Sequence, residues 1–541
     1  MPSRLEDYAL IGDCHTAALV GRDGSMDWLC LPRFDSPACF AALLGQSEHG
    51  RWQLAPVGEH KSIRRRYRGD TLILETEFDV DGGTVRLIDF MPVLQDHADV
   101  VRVVEGVRGR VRMRMELVIR FDYGAGVPWV RRHGDELSAI AGPDRMRLVT
   151  PVRLEGRDFR TFAEFEVDEG QRVPFDLTWF PSHLEPPPRL DCVESLQATE
   201  RWWAEWSSCC AYDGEWKEAV QRSLITLKAL TYAPTGGLVA APTTSLPEHL
   251  GGVRNWDYRY CWLRDATFTL YALSSGGYHE EARAWHDWLL RAAAGFPSQL
   301  QIMYGLAGER RLQEQELPCL PGYEGSAPVR TGNAAWSQFQ LDVFGEVMDA
   351  MHRGRRSGMN SGEEAWKLES ALIRYLETVW REPDEGIWEV RGPRRHFTHS
   401  KVMTWVAFDR AVKAVEQFGL PGPVEGWRRI REEIHQEVCR QGYDPNLGSF
   451  VQSYGSTSLD ASLLMIPLVG FLPPTDPRVQ GTVRAIEKDL TRNGFVERYR
   501  TDPDVDGLPH GEGSFLLCTF WLADNLELQG RHEEARAIFN R

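Results

Sequence analysis

The densest chemistry in the chain lies between Gly251 and Leu273, GGVRNWDYRYCWLRDATFTLYAL, where Trp256, Tyr258, Tyr260 and Trp262 alternate with Asp257 and Arg259 and run into Arg264 and Asp265. Aromatics interleaved with charges are costly in a core, and two readings account for them. One is a buried ion pair, Arg264 with Asp265 or Asp257, sealed by aromatic packing. The other is a sugar pocket, in which aromatic rings cover the apolar faces of a pyranose and paired charges bind vicinal hydroxyls in bidentate fashion.

Two further segments carry acids in suggestive settings. In DEGIWEV, Glu389 follows Trp388 and precedes a helix expected from Thr398. Aromatic surroundings disfavour a carboxylate by desolvation, so such a glutamate can stay protonated near neutrality and act as a general acid; the plainer alternative is a surface glutamate. In FVERYRTDPDVDGLPHGEGSFLLCTFW, Arg498 and Tyr499 precede a glycine-flanked Glu512 at the start of an expected helix. Its plainer reading is a first-turn acid favoured by the helix dipole.

The elements that must position these residues fall into two kinds. From Asp70 to Pro181 the pattern is strand-like: Thr71–Val80 and Thr84–Phe90 join through Asp81, Gly82 and Gly83 as a hairpin, and Val100–Val107, Arg112–Phe121 and Arg147–Glu155 alternate apolar with charged residues. Residues 1–185 therefore read as an antiparallel β-sandwich. Three prolines at 186–188 break the pattern, and Cys192–Ser208 reads as a helix carrying Trp202, Trp203 and Trp206, making 186–210 a linker helix. Residues 211–541 are helical in period. Eleven segments are expected, at 215–232, 264–275, 279–295, 332–352, 361–380, 398–417, 422–438, 458–467, 476–489, 513–528 and 531–540, with a Ser361–Glu364 capping box opening the fifth. Paired helices without a fixed repeat suit an α/α toroid better than a solenoid.

A chain of 541 residues exceeds what one core usually serves, so two domains are expected. The net charge of −16 disfavours nucleic acid and anionic membranes as partners, and no apolar run is long enough to span a bilayer. The opening MPSRLEDYALIGD lacks the pattern of a secretory signal, which gives a cytoplasmic expectation. The ten cysteines include no C-x-x-C pair, and His396 and His399 lack partners of metal-site spacing, so reduced thiols, no metal and no cofactor are expected.

Together these segments resemble glycoside hydrolase family 15, the glucoamylase family with its bacterial trehalase and glucodextranase relatives. The opening IGDCHTAALVGRDGSMDWLCLPRFDSP resembles the N-terminal β-domain of the bacterial members, and APTTSLPEHLGGVRNWDYRYCWLRDA is specific to them. The resemblance implies a β-sandwich followed by an (α/α)6 barrel, and inverting, exo-acting hydrolysis of α-glucosides to β-glucose. Position by position, Trp262, Arg264 and Asp265 match the motif whose Arg-Asp pair holds the terminal glucose, with Trp256 and Tyr260 beside it. Trp388 and Glu389 match the Trp-Glu step in which the glutamate is the acid. Arg498 and Tyr499 resemble a further pocket loop, Asn333 and Trp336 belong to a segment like the pocket wall, and Lys401 is expected near the pocket.

Inversion needs a second carboxylate roughly 6.5–9.5 Å from the first, to deprotonate water. The E-Q-Y-D-like stretch that the family implies for it is not found, and eleven helices are one fewer than six hairpins require, so the last hairpin is expected to be incomplete. Three explanations stand open: a shortened chain, a base at Glu512 or less favourably Glu497, or a phosphorylase that uses phosphate as nucleophile. The leading expectation is a glucoamylase-type hydrolase of short α-glucosides. The alternatives are a trehalase of the same family, a glucoside phosphorylase, and a sugar-binding protein without turnover.

Overall fold

The computed structural model describes residues 2–93, 97–359, 362–501, 506–509 and 511–541. An N-terminal antiparallel β-sandwich precedes a helical barrel. Strands begin at Tyr8–Gly12, earlier than the alternation suggested, and end at Arg172–Pro181. The two runs expected at Val100–Val107 and Arg112–Phe121 are one strand of 21 residues, Ala98–Val118. Its first part pairs with Arg172–Pro181 and Gly83–Phe90, and its second with Arg160–Asp168 and Arg51–Pro56, so a single strand belongs to both sheets. It turns from one to the other at Gly106 and Gly109, the latter at φ 69°. The strand expected at Arg147–Glu155 is instead Asp144–Val149, cut short as Pro151 approaches, since proline has no N–H for the ladder.

Helix α1 (Cys192–Ser207) is capped by the Asp191 carboxylate, buries Trp203, and lays Trp206 flat on Tyr278 with ring centres 4.1 Å apart. It thus ties the sandwich to the helical part. The barrel helices are α2 (Lys217–Ala229), α3 (Leu263–Ser275), α4 (His279–Ala292), α5 (Asp342–Arg356), α6 (Gly362–Val379), α7 (Thr398–Phe418), α8 (Val424–Gln441), α9 (Met465–Leu468), α10 (Pro477–Asp489), α11 (Leu516–Leu528) and α12 (His532–Asn540).

Burial separates inner helices from outer ones. In α7 every residue from Thr398 to Val412 is buried, whereas α8 buries only Trp427, Ile434 and Val438, one stripe of an amphipathic helix. α3, α5 and α7 pack side by side inside, and α4, α6 and α8 back them. The helix expected at 332–352 starts only at Asp342. Before it, Asn333 caps a short turn at Ala334–Ser337, and carboxylates from 384–385 take the Phe339 and Leu341 N–H groups. α11 starts at Leu516, so Glu512 lies in the preceding loop rather than in a first turn. Ser361 of the expected capping box lies outside the described residues.

The sandwich packs against the aromatic-charged segment from behind. Asp257 and Arg259, both fully buried, pair at 2.7 Å, and Arg259 also donates to the Tyr123 hydroxyl (2.8 Å) and the Ser36 carbonyl (2.9 Å) of the β-domain. Trp28 donates to the Pro242 carbonyl at 2.9 Å. The fully buried ion pair of this segment is Asp257–Arg259 rather than one made by Arg264, which pairs with the partly exposed Asp265.

Candidate active site

Glu389 sits at φ +51°, a left-handed backbone that a glutamate rarely adopts and that persists only when its surroundings over-determine it. They do so here. Gln338 donates to the Glu389 and Val390 carbonyls at 3.3 and 3.1 Å, and Arg264 donates to the Ile387 carbonyl at 2.6 Å. The side chain is held as firmly: Oε1 accepts from Trp262 Nε1 at 3.1 Å and from Arg264 at 3.0 Å. Among the described residues nothing bonds Oε2. Burial raises the pKa of Glu389; Arg264 pulls it down and Asp265 pushes it up again, and the net effect is upward. A buried carboxyl with one oxygen anchored and the other free is arranged to deliver a proton.

Trp262 precedes α3, and Arg264 and Asp265 open its first turn. Arg264 lies 2.9 Å from Asp265, whose side chain keeps 30% of its surface. From the neighbouring inner helix, Asp342 and Glu346 stand one turn apart on the face buried towards Arg264. Burial, then the charge of Asp384, pushes Asp342 up to about 7, and burial and Asp342 push Glu346 up as well. One guanidinium thus serves several carboxyls, a setting in which some keep their protons near neutrality.

On the other side of Glu389 a cleft opens, lined by Glu248, Trp256, Tyr258, Trp388, Arg391 and Arg498 among others. Arg498 pairs with Glu512 in a short contact and with Glu248 at 3.1 Å, and lies over the Trp388 ring at 5.3 Å. Trp388 is itself fixed by a 2.9 Å hydrogen bond to Asp460. Asp506 pairs with Arg254 at 2.7 Å, with both side chains buried, and accepts from the Tyr499 hydroxyl at 3.4 Å.

Of the residues singled out in the sequence, the structure brings Trp262, Arg264 and Asp265 to one side of Glu389, and Trp256, Asn333, Trp388, Arg498 and Tyr499 to the cleft on the other. Others are placed elsewhere. The Tyr260 hydroxyl accepts from the Gly332 N–H behind the cleft, and Lys401, fully buried, donates to the Trp380 and Glu382 carbonyls at the end of α6. Trp336 is half-buried away from the cleft lining, and Glu497 pairs with Arg492 at 3.0 Å. Glu512 stands behind Arg498, outside the cleft lining, with burial raising its pKa against the pull of Arg498. His399 is buried in α7 and pushed down to about 3 by desolvation, and His396 stacks on Tyr454.

Sequence reasoning missed Glu248, Arg254, Gln338, Arg391 and Asp506. Glu248 lies in plain view inside the signature string, but nothing marks it there as cleft-facing. Among the described residues no group of three or more histidine, cysteine or acidic side chains is arranged to hold a metal ion, and no helix is long and apolar enough to cross a membrane.

Comparison with known proteins places this architecture. Residues 214–541 match the profile of glycosyl hydrolases family 15, and residues 1–168 match that of the trehalase-like N-terminal domain. A trehalase of Mycobacterium tuberculosis is 38% identical over 99% of this chain and 83% of its own length. One of Thermoplasma acidophilum is 36% identical over 96% of this chain and 90% of its own. A crystal structure of a bacterial glucoamylase complexed with acarbose superposes over 98% of this chain and 86% of its own with a TM-score of 0.71, at 12% identity, which speaks for the fold alone. The β-sandwich and α/α barrel expected from the sequence are thus found together, and the chain belongs to glycosyl hydrolases family 15: it is a glycoside hydrolase.

Proposed function

We propose that this hydrolase acts on α,α-trehalose. The supporting observation is that relatives 32–38% identical across 96–99% of this chain carry the name trehalase, whereas the isomaltose glucohydrolase of Kribbella flavida is 28% identical over 54% of it. This favours the trehalase alternative over the glucoamylase-type reading. In this reading residues 1–185, 186–210 and 211–541 are the β-domain, the linker helix and the catalytic domain.

Glu389 is the general acid. Arg264 donates to, and Asp265 accepts from, neighbouring hydroxyls of the terminal glucose, which sets the glycosidic oxygen beside Oε2 of Glu389. Oε1 stays on Trp262 and Arg264, so the proton leaves without reorientation of the carboxyl group. As it leaves, the new carboxylate is stabilised by Arg264, which is already in place. Arg498, with Glu248 and Glu512 on its two sides, fixes the opposite wall.

Time-resolved NMR of the 541-residue chain with trehalose, maltose, isomaltose and kojibiose, each with and without phosphate, tests this reading. Glucose released from trehalose in phosphate-free buffer, with β-glucose appearing first alongside α-glucose, is the expected result. Strict phosphate dependence would make the protein a phosphorylase, and preference for maltose would return it to the glucoamylase type.

A further inference from the structure

Arg391 lies two residues beyond the acid and is the exposed residue among those lining the cleft, its side chain keeping 29% of its surface. Its guanidinium is 4.1 Å from the centre of the Trp256 ring, and Arg330 lies over the same indole at 4.7 Å. Glu314 ties the two cations together, with a two-pronged bond to Arg391 (3.1 and 2.7 Å) and a 3.6 Å approach to Arg330. The indole is thus occupied by guanidinium groups instead of being open for a sugar to stack on, and its part is to hold Arg391 flat. The backbone is held too. The Arg391 N–H donates to the Asp506 carbonyl at 2.9 Å, and Asp506 is latched to Arg254.

The direction of the site follows from these positions. In the proposed reading Arg264 and Asp265 hold the terminal glucose on one side of Glu389, and Arg391 lines the cleft on the other. With the terminal glucose on Arg264 and Asp265, the leaving sugar lies beyond the glycosidic oxygen at Glu389 and extends towards Arg391. A guanidinium with two prongs engaged by a carboxylate still has N–H groups to offer, and a planar, immobilised donor set suits a pair of neighbouring sugar hydroxyls. We propose that Arg391, positioned by Glu314 and Trp256, recognises the leaving glucose and is a specificity-determining residue of this enzyme. The inference rests on the reading of Glu389 as the acid.

The test compares two substrates that share the terminal glucose and differ in the leaving group: trehalose, and α-glucosyl fluoride, which has no leaving sugar. Arg391→Ala is expected to lower kcat/KM for trehalose about 30- to 100-fold, most of it in KM, and to change that for α-glucosyl fluoride by less than about threefold. Arg391→Lys keeps the charge but loses the planar fork, and is expected to fall between. In the Glu389→Gln background, calorimetry with trehalose and with glucose reads binding without turnover: the extra affinity for trehalose over glucose should vanish with Arg391→Ala while glucose binding persists. Parallel losses on both substrates would overturn the assignment, because they would mean that the acid's loop had been disturbed. Unchanged trehalose kinetics would overturn it alone. Failure of the unmodified chain to bind either sugar would overturn it together with the proposed function.

Discussion

Arg264 spans Glu389 and Asp265, donating to Oε1 of the former at 3.0 Å while lying 2.9 Å from the latter. The same guanidinium therefore holds the acid and, in the proposed reaction, the sugar. Lysine lacks the planar fork that serves both carboxylates and the Ile387 carbonyl, so Arg264→Lys should cost activity through both kcat and KM. Glu389→Gln, which removes only the proton donor, should slow turnover by about two to four orders of magnitude with KM little changed. Steady-state kinetics of the two variants on trehalose separates the effects; unchanged turnover in Glu389→Gln would remove it from the acid role.

Asp265 and the acid are coupled in a way that a pH profile reads directly. The negative charge of Asp265 raises the Glu389 pKa, and a general acid is active only while protonated. Asp265→Asn removes that charge and leaves Arg264 more fully to Glu389. Both changes lower the acid's pKa, so the alkaline limb of kcat/KM should move to lower pH.

Glu512, a candidate for activating water by its sequence setting, stands on Arg498 outside the cleft lining. As a holder of Arg498, Glu512→Gln should raise KM about tenfold and leave kcat within about threefold. Turnover slowed by about a hundredfold or more, with partial rescue by azide, would restore it to the water-activating role.

The latch between Arg254 and Asp506 is buried on both sides, so breaking it leaves an unpaired charge at a cost of about 3–5 kcal/mol. Asp506→Ala should lower the Tm and raise KM for trehalose. An unchanged Tm in the variant would show that the pair does not stabilise the fold.

In the β-domain, Asp176 and Asp99 are buried side by side, and burial together with the charge of Asp99 pushes Asp176 up to about 7. Its folded pKa exceeds the unfolded one, so the folded state binds more protons between about pH 4 and 7 and stability falls as pH rises through that window. Asp176→Asn should remove this loss. We expect a higher Tm than the parent at pH 8, from up to about 4 kcal/mol of stability, and little difference at pH 4.

Much of this is legible in the sequence where partners are close in the chain. Trp262, Arg264 and Asp265 share one helix start, and Trp388 and Glu389 are neighbours. The strict alternation from Trp256 to Trp262 misleads for Tyr260, because residues 255–257 and 261–262 pair with different strands and the chain turns between them. Lys401 is expected near the pocket only from the family resemblance; its ammonium instead caps carbonyls at the end of α6. Arg391 and Asp506 are invisible in the sequence, since Glu314 and Arg254, which give them meaning, lie 77 and 252 residues away.

The Asp257–Arg259 pair has its last hydrogen-bonding partners in the β-domain, at Tyr123 and Ser36. Were the sandwich to melt first, that guanidinium would lose the shell that makes its burial tolerable, directly beneath the strand leading to Trp262. Neither half can therefore come apart without destabilising the other, and calorimetry should record a single cooperative transition in which catalytic competence and sandwich integrity disappear at one temperature.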